Sequence, residues 1–395
     1  SPDPLSIQRR EIFEKTLPGA NFSLVYSHLE NRLLIVPTWH PLNTTPIPTH
    51  GGDYGSGVFE GHSLEPVVKN GELVGANLIL HEARMRRLEK SLASRDFSLP
   101  VPIEEFSQGI KDLVSIIGDE ILISRQGIPC RAYVRPEARP GMGGFGLGAR
   151  KEHLIDAGVV AWNWPYYFKD PERAYRGSGL VLAAFPEQRL AKIKGKHASN
   201  YGEAGVIGNR ARRIEGVDEA LYFGPYLVRP RTRKKEQINL NVGGQAHELL
   251  KFGVLADGPG EEIFAITSGG EIWYPPMDVN RLGGTTLNYL VEHIAPTLII
   301  PTYEKPFSLF DVKTGLVRSL LFAGNAARLA PIGEVRMYSG MSEEPLDTLK
   351  LEISPLAREL VRRYEAEVTA QIAPSDSSLL TPVDICEGFK ARRKL

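Results

Sequence analysis

Six residues near the middle of the chain, Lys196 to Tyr201, lie between segments of different periodicity and so constrain the fold most. The apolar run Leu180 to Phe185 precedes them and predicts a buried strand, whereas the Ala- and Arg-rich segment Ala204 to Ile214 predicts a helix. A lysine amine that is desolvated at such a junction can attack a carbonyl and carry a Schiff base. The alternative is an exposed basic face, since Lys192, Lys194 and Lys196 alternate.

Composition sets broad limits on the protein. With 395 residues, of which 42% are hydrophobic and 24% charged, the chain is long enough for two domains. It contains 47 Lys and Arg and 47 Asp and Glu residues, a balance that argues against a nucleic-acid partner. No apolar run approaches the ~18 residues of a membrane helix, so we expect no membrane partner. The two cysteines, Cys130 and Cys386, predict reduced thiols in a cytoplasmic protein.

Strand-like and helix-like patterns alternate along the chain and predict a mixed α+β and α/β fold. We predict a small N-terminal α+β domain over residues 1–165 and an interdomain loop over residues 166–178. A larger C-terminal domain is predicted over residues 179–395. This division leaves Lys196 near the start of the larger domain.

Local patterns add four further predictions. Apolar residues recur at helical spacing between Ile103 and Ile117, which predicts an amphipathic helix. The run Thr297 to Pro301 is apolar and predicts a strand. Residues 229–250 begin with a basic run without interleaved aromatics and predict a surface insertion, whose role stays open. Gly141 to Gly146 fits G-x-G-x-x-G, but no helical pattern follows it, so we expect a loop and not a dinucleotide site.

Seven short blocks between residues 50 and 335 resemble, in order, the fold-type IV pyridoxal-phosphate enzymes, which share the D-amino acid aminotransferase-like fold. The resemblance is closest to the branched-chain amino acid aminotransferases. The blocks are Tyr54–Gly61 (Y-G-S-G-V-F-E-G), His81–Leu88, Ala132–Pro136 (A-Y-V-R-P), Lys196–Tyr201, Asp257–Phe264, Leu282–Thr286 and Ala323–Ala327.

The resemblance implies pyridoxal 5′-phosphate as cofactor and Lys196 as the catalytic residue that holds it as a Schiff base. Such a cofactor needs cationic and N–H groups for its phosphate, a carboxylate for its ring nitrogen and a hydroxyl for its phenolate. By resemblance, Asp257 meets the ring nitrogen and Tyr201 the phenolate. The phosphate ligands implied are Arg87, Gly284, Thr285, Asn325 and Ala326. The substrate-binding residues implied are Tyr54, Phe59, Tyr133, Arg135, Tyr167 and Ala327.

Several positions depart from the family pattern. Asp257 stands where the family has glutamate, Glu262 where it has asparagine, and Asn325 where it has threonine. His62 and Ser63 replace the usual pair after the F-E-G triplet, and the spacing from Lys196 to Asp257 is longer than usual. These departures favour a specialised member of the family.

We therefore predict an aminotransferase that moves an amino group between an amino acid, branched-chain-like or specialised, and a 2-keto acid. One alternative is a non-transaminating fold-type IV enzyme, either a pyridoxal-phosphate lyase similar to aminodeoxychorismate lyase or a racemase-like catalyst. The other is a cofactor-binding protein without catalysis. The family forms dimers, so we expect a homodimer, and we predict no metal site. The sequence leaves the donor, the acceptor and the stereochemistry open.

Overall fold

The computed structural model describes residues 4–43, 49–143, 153–188, 195–229, 235–237, 245–339, 342 and 344–386. Residues 144–146 of the glycine-rich segment, Lys192, Lys194 and much of the 229–250 segment lie outside this part. The chain divides into two compact units. Unit 1 comprises Ser1–Pro165, Lys194–Ser199 and Val368–Leu395, and unit 2 comprises Tyr166–Ile193 and Asn200–Glu367.

These units differ from the predicted domains at two segments, both of which join unit 1 for a local reason. Residues 380–384 form a strand that pairs antiparallel with residues 75–79. Residues 196 and 198 hydrogen-bond to the backbone of residues 57 and 59. Both contacts are non-local, so periodicity along the chain does not reveal them.

Unit 1 contains a mixed set of helices and strands. Its helices are α1 (Pro4–Thr16), α2 (His50–Tyr54), α3 (His81–Ala93) and α4 (Ile103–Ile121). Its strands are β1 (Phe22–Ser27), β2 (Arg32–Pro37), β3 (Val58–Phe59), β4 (His62–Lys69), β5 (Glu72–Ile79), β6 (Ala132–Pro140), β7 (Ile155–Asn163) and β18 (Leu380–Asp384). The strands form one antiparallel sheet in the order β18-β5-β4-β6-β7-β1-β2, and β3 pairs with β6.

Helix α4 supplies much of the core of unit 1. Its apolar residues recur every three or four positions, so they form one stripe along the helix. Phe106, Ile110, Leu113 and Ile117 are each fully buried and belong to the same apolar cluster as Leu64 and Val134 of the sheet. The predicted amphipathic helix is thus present, and its apolar stripe is the face that packs.

Unit 2 is built around the second sheet. Its strands are β8 (Leu180–Gln188), β9 (Glu219–Val228), β10 (Lys235–Gln237), β11 (Gly253–Leu255), β12 (Glu262–Thr267), β13 (Ile272–Tyr274), β14 (Thr302–Glu304), β15 (Val317–Gly324), β16 (Arg328–Met337) and β17 (Asp347–Lys350). Their order is β10-β9-β8-β16-β15-β12-β13-β14, with β11 on β9 and β17 on β16. Strand β8 is parallel to both of its neighbours, β9 and β16, and its residues 182–185 are buried.

The helices of unit 2 are mostly short. They are α5 (Pro171–Tyr175), α6 (Asn200–Arg213), α7 (Gln245–Phe252), α8 (Thr285–Tyr289), α9 (Ala295–Thr297), α10 (Leu309–Lys313) and α11 (Pro355–Val368). Helix α5 lies inside the predicted interdomain loop, where the Asp170 side chain caps the N–H of Arg173 at 2.9 Å and Pro171 occupies the first turn.

The predicted strand Thr297–Pro301 is wrong. A π-helical turn, Leu290–Ile294, links α8 to α9, so the helix continues through Thr297. The N–H of Leu298 still donates to the carbonyl of Ile294 at 3.3 Å, and the next strand begins only at Thr302. The apolar run resembles a buried strand, and its length alone does not distinguish it from the end of a helix.

Candidate active site

Lys196 is held by its backbone to two elements of unit 1. Its N–H donates to the Ser91 hydroxyl of α3 at 2.9 Å, and its carbonyl accepts from the N–H of Phe59 in β3 at 3.2 Å. The N–H of Ala198 donates to the Gly57 carbonyl at 2.8 Å. The segment is therefore an ordered extension of the β3 edge, although it follows a different unit in sequence.

The Lys196 amine lies in a half-buried site with an aromatic face and a carboxylate. Its Nζ is 5.0 Å from the centroid of the Phe59 ring, which is within cation–π range. Its charge also acts on the buried carboxylate of Glu60. A lysine beside an aromatic ring and a carboxylate is a reasonable candidate for a Schiff-base residue.

Arg87 forms a bidentate ion pair with Glu60. Its Nε donates to Oε2 and its Nη2 to Oε1, each at 2.7 Å, and the N–H of Gly61 donates to Oε1 at 2.9 Å. Burial by itself would raise the pKa of Glu60, but Arg87, followed by Lys196 and Arg84, outweighs it and lowers the pKa. Arg87 was predicted as a phosphate ligand, and two of its N–H groups are bound to Glu60. The carboxylate, although part of the first sequence block, had no predicted role.

Aromatic side chains surround the guanidinium of Arg135. Its central carbon lies 5.1 Å from the ring of Phe59, 5.3 Å from that of Tyr133 and 5.4 Å from that of Trp162. Its Nε is buried and has no hydrogen-bond partner in the described part of the chain. A guanidinium whose buried Nε–H has no acceptor favours an anion, so this cluster is suited to a substrate carboxylate.

Three predicted substrate residues, Phe59, Tyr133 and Arg135, are thus neighbours, and Phe59 connects them to Lys196. Trp162 and Trp164 also belong to the cluster, each with its ring 4.9 Å from that of Tyr133. The sequence prediction missed both tryptophans, although their alternation at the end of β7 was a visible signal. Tyr54 is exposed on α2, where its ring lies 4.7 Å from that of His50.

Asp257 begins a tight turn in unit 2. It is buried, it forms an isolated bridge with Glu262, and its carbonyl accepts from the N–H of Tyr222 at 2.9 Å. The N–H of Gly258 donates to the carbonyl of Glu261 at 2.7 Å, which closes the turn. The backbone therefore fixes the carboxylate of Asp257 at the entrance to β12.

Glu262, which replaces the family's asparagine, has a matching cation. Its Oε1 accepts from the buried guanidinium of Arg281, and its Oε2 accepts from the N–H of Gly284 at 2.6 Å. Gly284 was predicted to give this N–H to a phosphate, but in this structure the Glu262 carboxylate takes it. The departure at Glu262 is thus accommodated by Arg281 within the same unit.

Two further loops of unit 2 carry the remaining predicted phosphate ligands. Thr285 begins α8, and the hydroxyl of Thr286 is buried without a hydrogen-bond partner in the described residues. Asn325 and Ala326 lie in the turn between β15 and β16. An unsatisfied buried hydroxyl beside a helix start fits an anion such as phosphate.

Three predicted residues remain, all in unit 2. Ala327 is buried, and its carbonyl accepts from the Tyr175 hydroxyl at 2.9 Å. Tyr201 is half-buried in the first turn of α6. The Tyr167 hydroxyl is bonded to Glu261; burial, and then the charge of Glu261, raises its pKa well above the ordinary value.

The chain is similar in sequence and fold to aminotransferases. A branched-chain-amino-acid aminotransferase of Pseudomonas aeruginosa is 25% identical over 295 residues, which cover 74% of this chain and 80% of that protein. The branched-chain aminotransferase of Thermoproteus uzoniensis, solved with norvaline, has a TM-score of 0.68 at 21% identity and covers 92% of this chain and 99% of its own. The branched-chain amino acid aminotransferase of Thermobaculum terrenum, solved in its pyridoxal-phosphate form, has a TM-score of 0.65 at 18% identity and covers 93% and 99%. No family model matches the sequence.

This chain resembles the branched-chain amino acid aminotransferases. The predicted fold-type IV architecture and the predicted resemblance to these enzymes are both confirmed. Among the described residues, no helix is both long enough and apolar enough to cross a membrane. The roles of the individual candidate residues, including Lys196, stay predictions.

Proposed function

We propose that the protein is a pyridoxal-phosphate-dependent aminotransferase that exchanges an amino group between an amino acid and a 2-keto acid, with Lys196 as the Schiff-base residue. The amino acid is branched-chain-like or a more specialised one. The observation that carries this proposal is the lysine itself. Its backbone is hydrogen-bonded to the Ser91 hydroxyl and to the N–H of Phe59, and its amine lies 5.0 Å from the Phe59 ring, which also contacts Arg135.

The residues of each unit have separate tasks in this proposal. When bound, the cofactor supplies an aldehyde for a Schiff base and a ring that takes up an electron pair. The Lys196 amine would hold the cofactor through its aldehyde, and the same amine, when free, would carry a proton to and from the substrate carbon. Asp257 provides the carboxylate for the ring nitrogen, and Tyr201 provides the hydroxyl for the phenolate. The N–H groups and side chains of Thr285, Thr286, Asn325 and Ala326, together with Arg87, would hold the phosphate.

Arg135 is the group that we assign to a substrate carboxylate. Three aromatic rings surround it, and its buried Nε has no acceptor among the described residues. Phe59, Tyr133 and Trp162 add apolar faces for a substrate side chain. Replacement of Arg135 by alanine should raise KM for the keto acid more than it lowers kcat.

A spectroscopic half-reaction tests the proposal. The protein reconstituted with pyridoxal phosphate should show a visible cofactor band, which single L-amino acids should convert to the pyridoxamine spectrum without loss of cofactor. Lys196→Ala should abolish both the lysine-dependent band and turnover, whereas Lys90→Ala, an exposed lysine of α3, should change neither. Pyruvate formed without an acceptor would favour a lyase, and an unaltered band in Lys196→Ala would refute the assignment.

We further propose that the protein is a cytoplasmic homodimer. The two cysteines are both free thiols, as a reducing compartment allows. Light scattering after gel filtration should give twice the 43.7 kDa chain mass, and a monomer mass would refute the dimer.

A further inference from the structure

A cluster of charged side chains surrounds the turn of Asp257 in unit 2. Its other members are Glu261 of the same turn, Glu219 of β9, Arg212 of α6 and the phenol of Tyr167. Both glutamates are buried, and the Arg212 side chain is 43% exposed. Glu219 and Arg212 lie outside all seven sequence blocks and have no role in the function proposed above.

The side chain of Glu261 is folded into the turn that carries Asp257. Its Oε2 accepts from the N–H of Gly260 at 3.1 Å. The same oxygen lies 2.7 Å from where a Cβ on Gly258 would stand, so only glycine fits there without a shift. Since these atoms fill the turn, a displacement of Glu261 would displace Asp257.

Tyr167 and Arg212 hold the two glutamates. The Tyr167 hydroxyl is hydrogen-bonded to Glu261. Glu219 accepts from Nη2 of Arg212 at 2.5 Å and from the N–H of Ala220 at 3.1 Å. The network therefore runs from Arg212 on the surface side, through Glu219, to the turn of Asp257.

Among the described residues of this network, the two buried glutamates lie near one guanidinium. Arg212 acts on both Glu219 and Glu261, and the charge of Asp257 also acts on Glu261. Burial, and then the charge of Glu261, raises the pKa of Glu219 to about 7, and burial raises the pKa of Glu261 as well. Because the two glutamates interact, the proton belongs to the pair and not to either residue.

We propose that Glu219, Glu261, Tyr167 and Arg212 form a positioning network for Asp257, in which the two glutamates share one proton that sets the charge beside the Asp257 carboxylate. The ring-nitrogen role of Asp257 rests on the function proposed above. Release of the shared proton adds one negative charge to the network, so Asp257 then stabilises a protonated ring nitrogen more strongly. The cofactor's ring protonation should therefore respond to residues that do not touch it.

The shared proton can be tested in the protein without cofactor. Infrared spectra of the wild type should show the C=O band of a buried, protonated carboxylic acid that disappears with a midpoint near pH 7. Glu219→Gln should remove this transition. Glu334→Gln, a partly buried glutamate of unit 2 that is paired with Arg336, should retain it. A wild type without such a transition would overturn the proposal.

The link to Asp257 is tested by the cofactor's absorbance as a function of pH. The holoenzyme should show a spectral transition near pH 7 that Glu219→Gln removes and Glu334→Gln retains. Tyr167→Phe deletes one donor to Glu261, so the pair should keep its proton to higher pH. The transition should then move up by about one pH unit, as expected for one hydrogen bond to a carboxylate.

The outcomes separate the two proposals. If the wild type binds no pyridoxal phosphate at Lys196, the proposed function fails, and the positioning role fails with it, while the infrared spectra still decide whether the proton is shared. If the cofactor binds but its pH transition is the same in wild type, Glu219→Gln and Tyr167→Phe, only the network is refuted. Should Glu219→Gln fail to fold, Tyr167→Phe alone decides the result.

Discussion

The ion pair between Glu60 and Arg87 gives the sharpest test of how unit 1 holds its candidate site. In Glu60→Gln, the amide keeps one oxygen as acceptor but turns an NH2 group toward the guanidinium. Two charge-assisted bonds at 2.7 Å are thereby weakened or lost, and Arg87 loses the carboxylate beside it. Hydrogen bonds to charged groups contribute about 1.5–3 kcal/mol each, and breaking a buried pair costs about 3–5 kcal/mol. We expect Glu60→Gln to lower the free energy of unfolding of unit 1 by about 4 kcal/mol at pH 7.

Urea denaturation followed by tryptophan fluorescence measures this loss. Trp39, Trp162 and Trp164 lie in unit 1, whereas unit 2 holds Trp273, so fluorescence reports mainly on unit 1. The control is Glu82→Gln on α3, whose partner Arg86 is 3.8 Å away and largely exposed. Such an exposed pair contributes at most about 1 kcal/mol. A loss below about 1 kcal/mol in Glu60→Gln would refute the account of a buried, essential pair.

The pH dependence of the same variant provides an independent check. The pKa of Glu60 is lowered in the fold, so its stabilising contribution is fully present above its ordinary pKa of 4.5 and is lost as pH falls through the lower, folded value. The difference in unfolding free energy between wild type and Glu60→Gln should therefore shrink below pH 4.5. A difference that stays constant down to pH 3 would mean that the carboxylate charge is not what stabilises the site.

Three further predictions concern other buried contacts. Gly61→Ala should cost about 1–3 kcal/mol of stability and alter substrate KM, because its Cβ would lie 1.9 Å from the Tyr133 hydroxyl oxygen; urea titration and kinetics check both. Glu262→Asn should cost about 3–5 kcal/mol because it leaves Arg281 buried without its carboxylate, and the added Arg281→Met change should restore part of the loss in a double-mutant cycle. Burial lowers the pKa of His81 from 6.5 to about 4. Between these two pH values the unfolded chain therefore binds more protons than the folded chain. Stability should fall by about 2 kcal/mol between pH 6.5 and pH 5, and His81→Gln should flatten that slope in thermal melts.

The sequence predicted those helices and strands of each unit that bury an apolar surface in the core. The apolar residues of helix α4 recur with a period of about 3.6 residues, and strand β8 has a continuous apolar run. Both patterns are visible in the sequence and both correspond to the surfaces that pack in the core. The pairing of β18 with β5 was not predictable, because the two strands are about 300 residues apart and nothing local specifies the partner. For the same reason, periodicity along the chain did not reveal the hydrogen bonds of Lys196 and Ala198 to residues 59 and 57.

The site was predicted as a set of separate residue roles, whereas the structure shows pairs. Glu60 lies in the block that named Phe59, yet its partner Arg87 is 27 residues away on another element. Glu219 has no motif around it and becomes notable only because β9 brings it to the turn of Glu261. Sequence reasoning identifies residues that chemistry requires, but it has no access to buried partners that only the fold brings together.

Three buried carboxylates in this protein share one arrangement: Glu60 with Arg87, Glu219 with Arg212, and Glu262 with Arg281. A buried ion pair adds little net stability over apolar residues of the same size, but breaking it is costly. In each pair the carboxylate also accepts from a backbone N–H, that of Gly61, Ala220 or Gly284. The carboxylates therefore fix backbone position more than they raise overall stability. This explains why glutamate can replace asparagine at position 262: Arg281 makes the larger charge tolerable, and the N–H of Gly284 keeps the start of α8 in place.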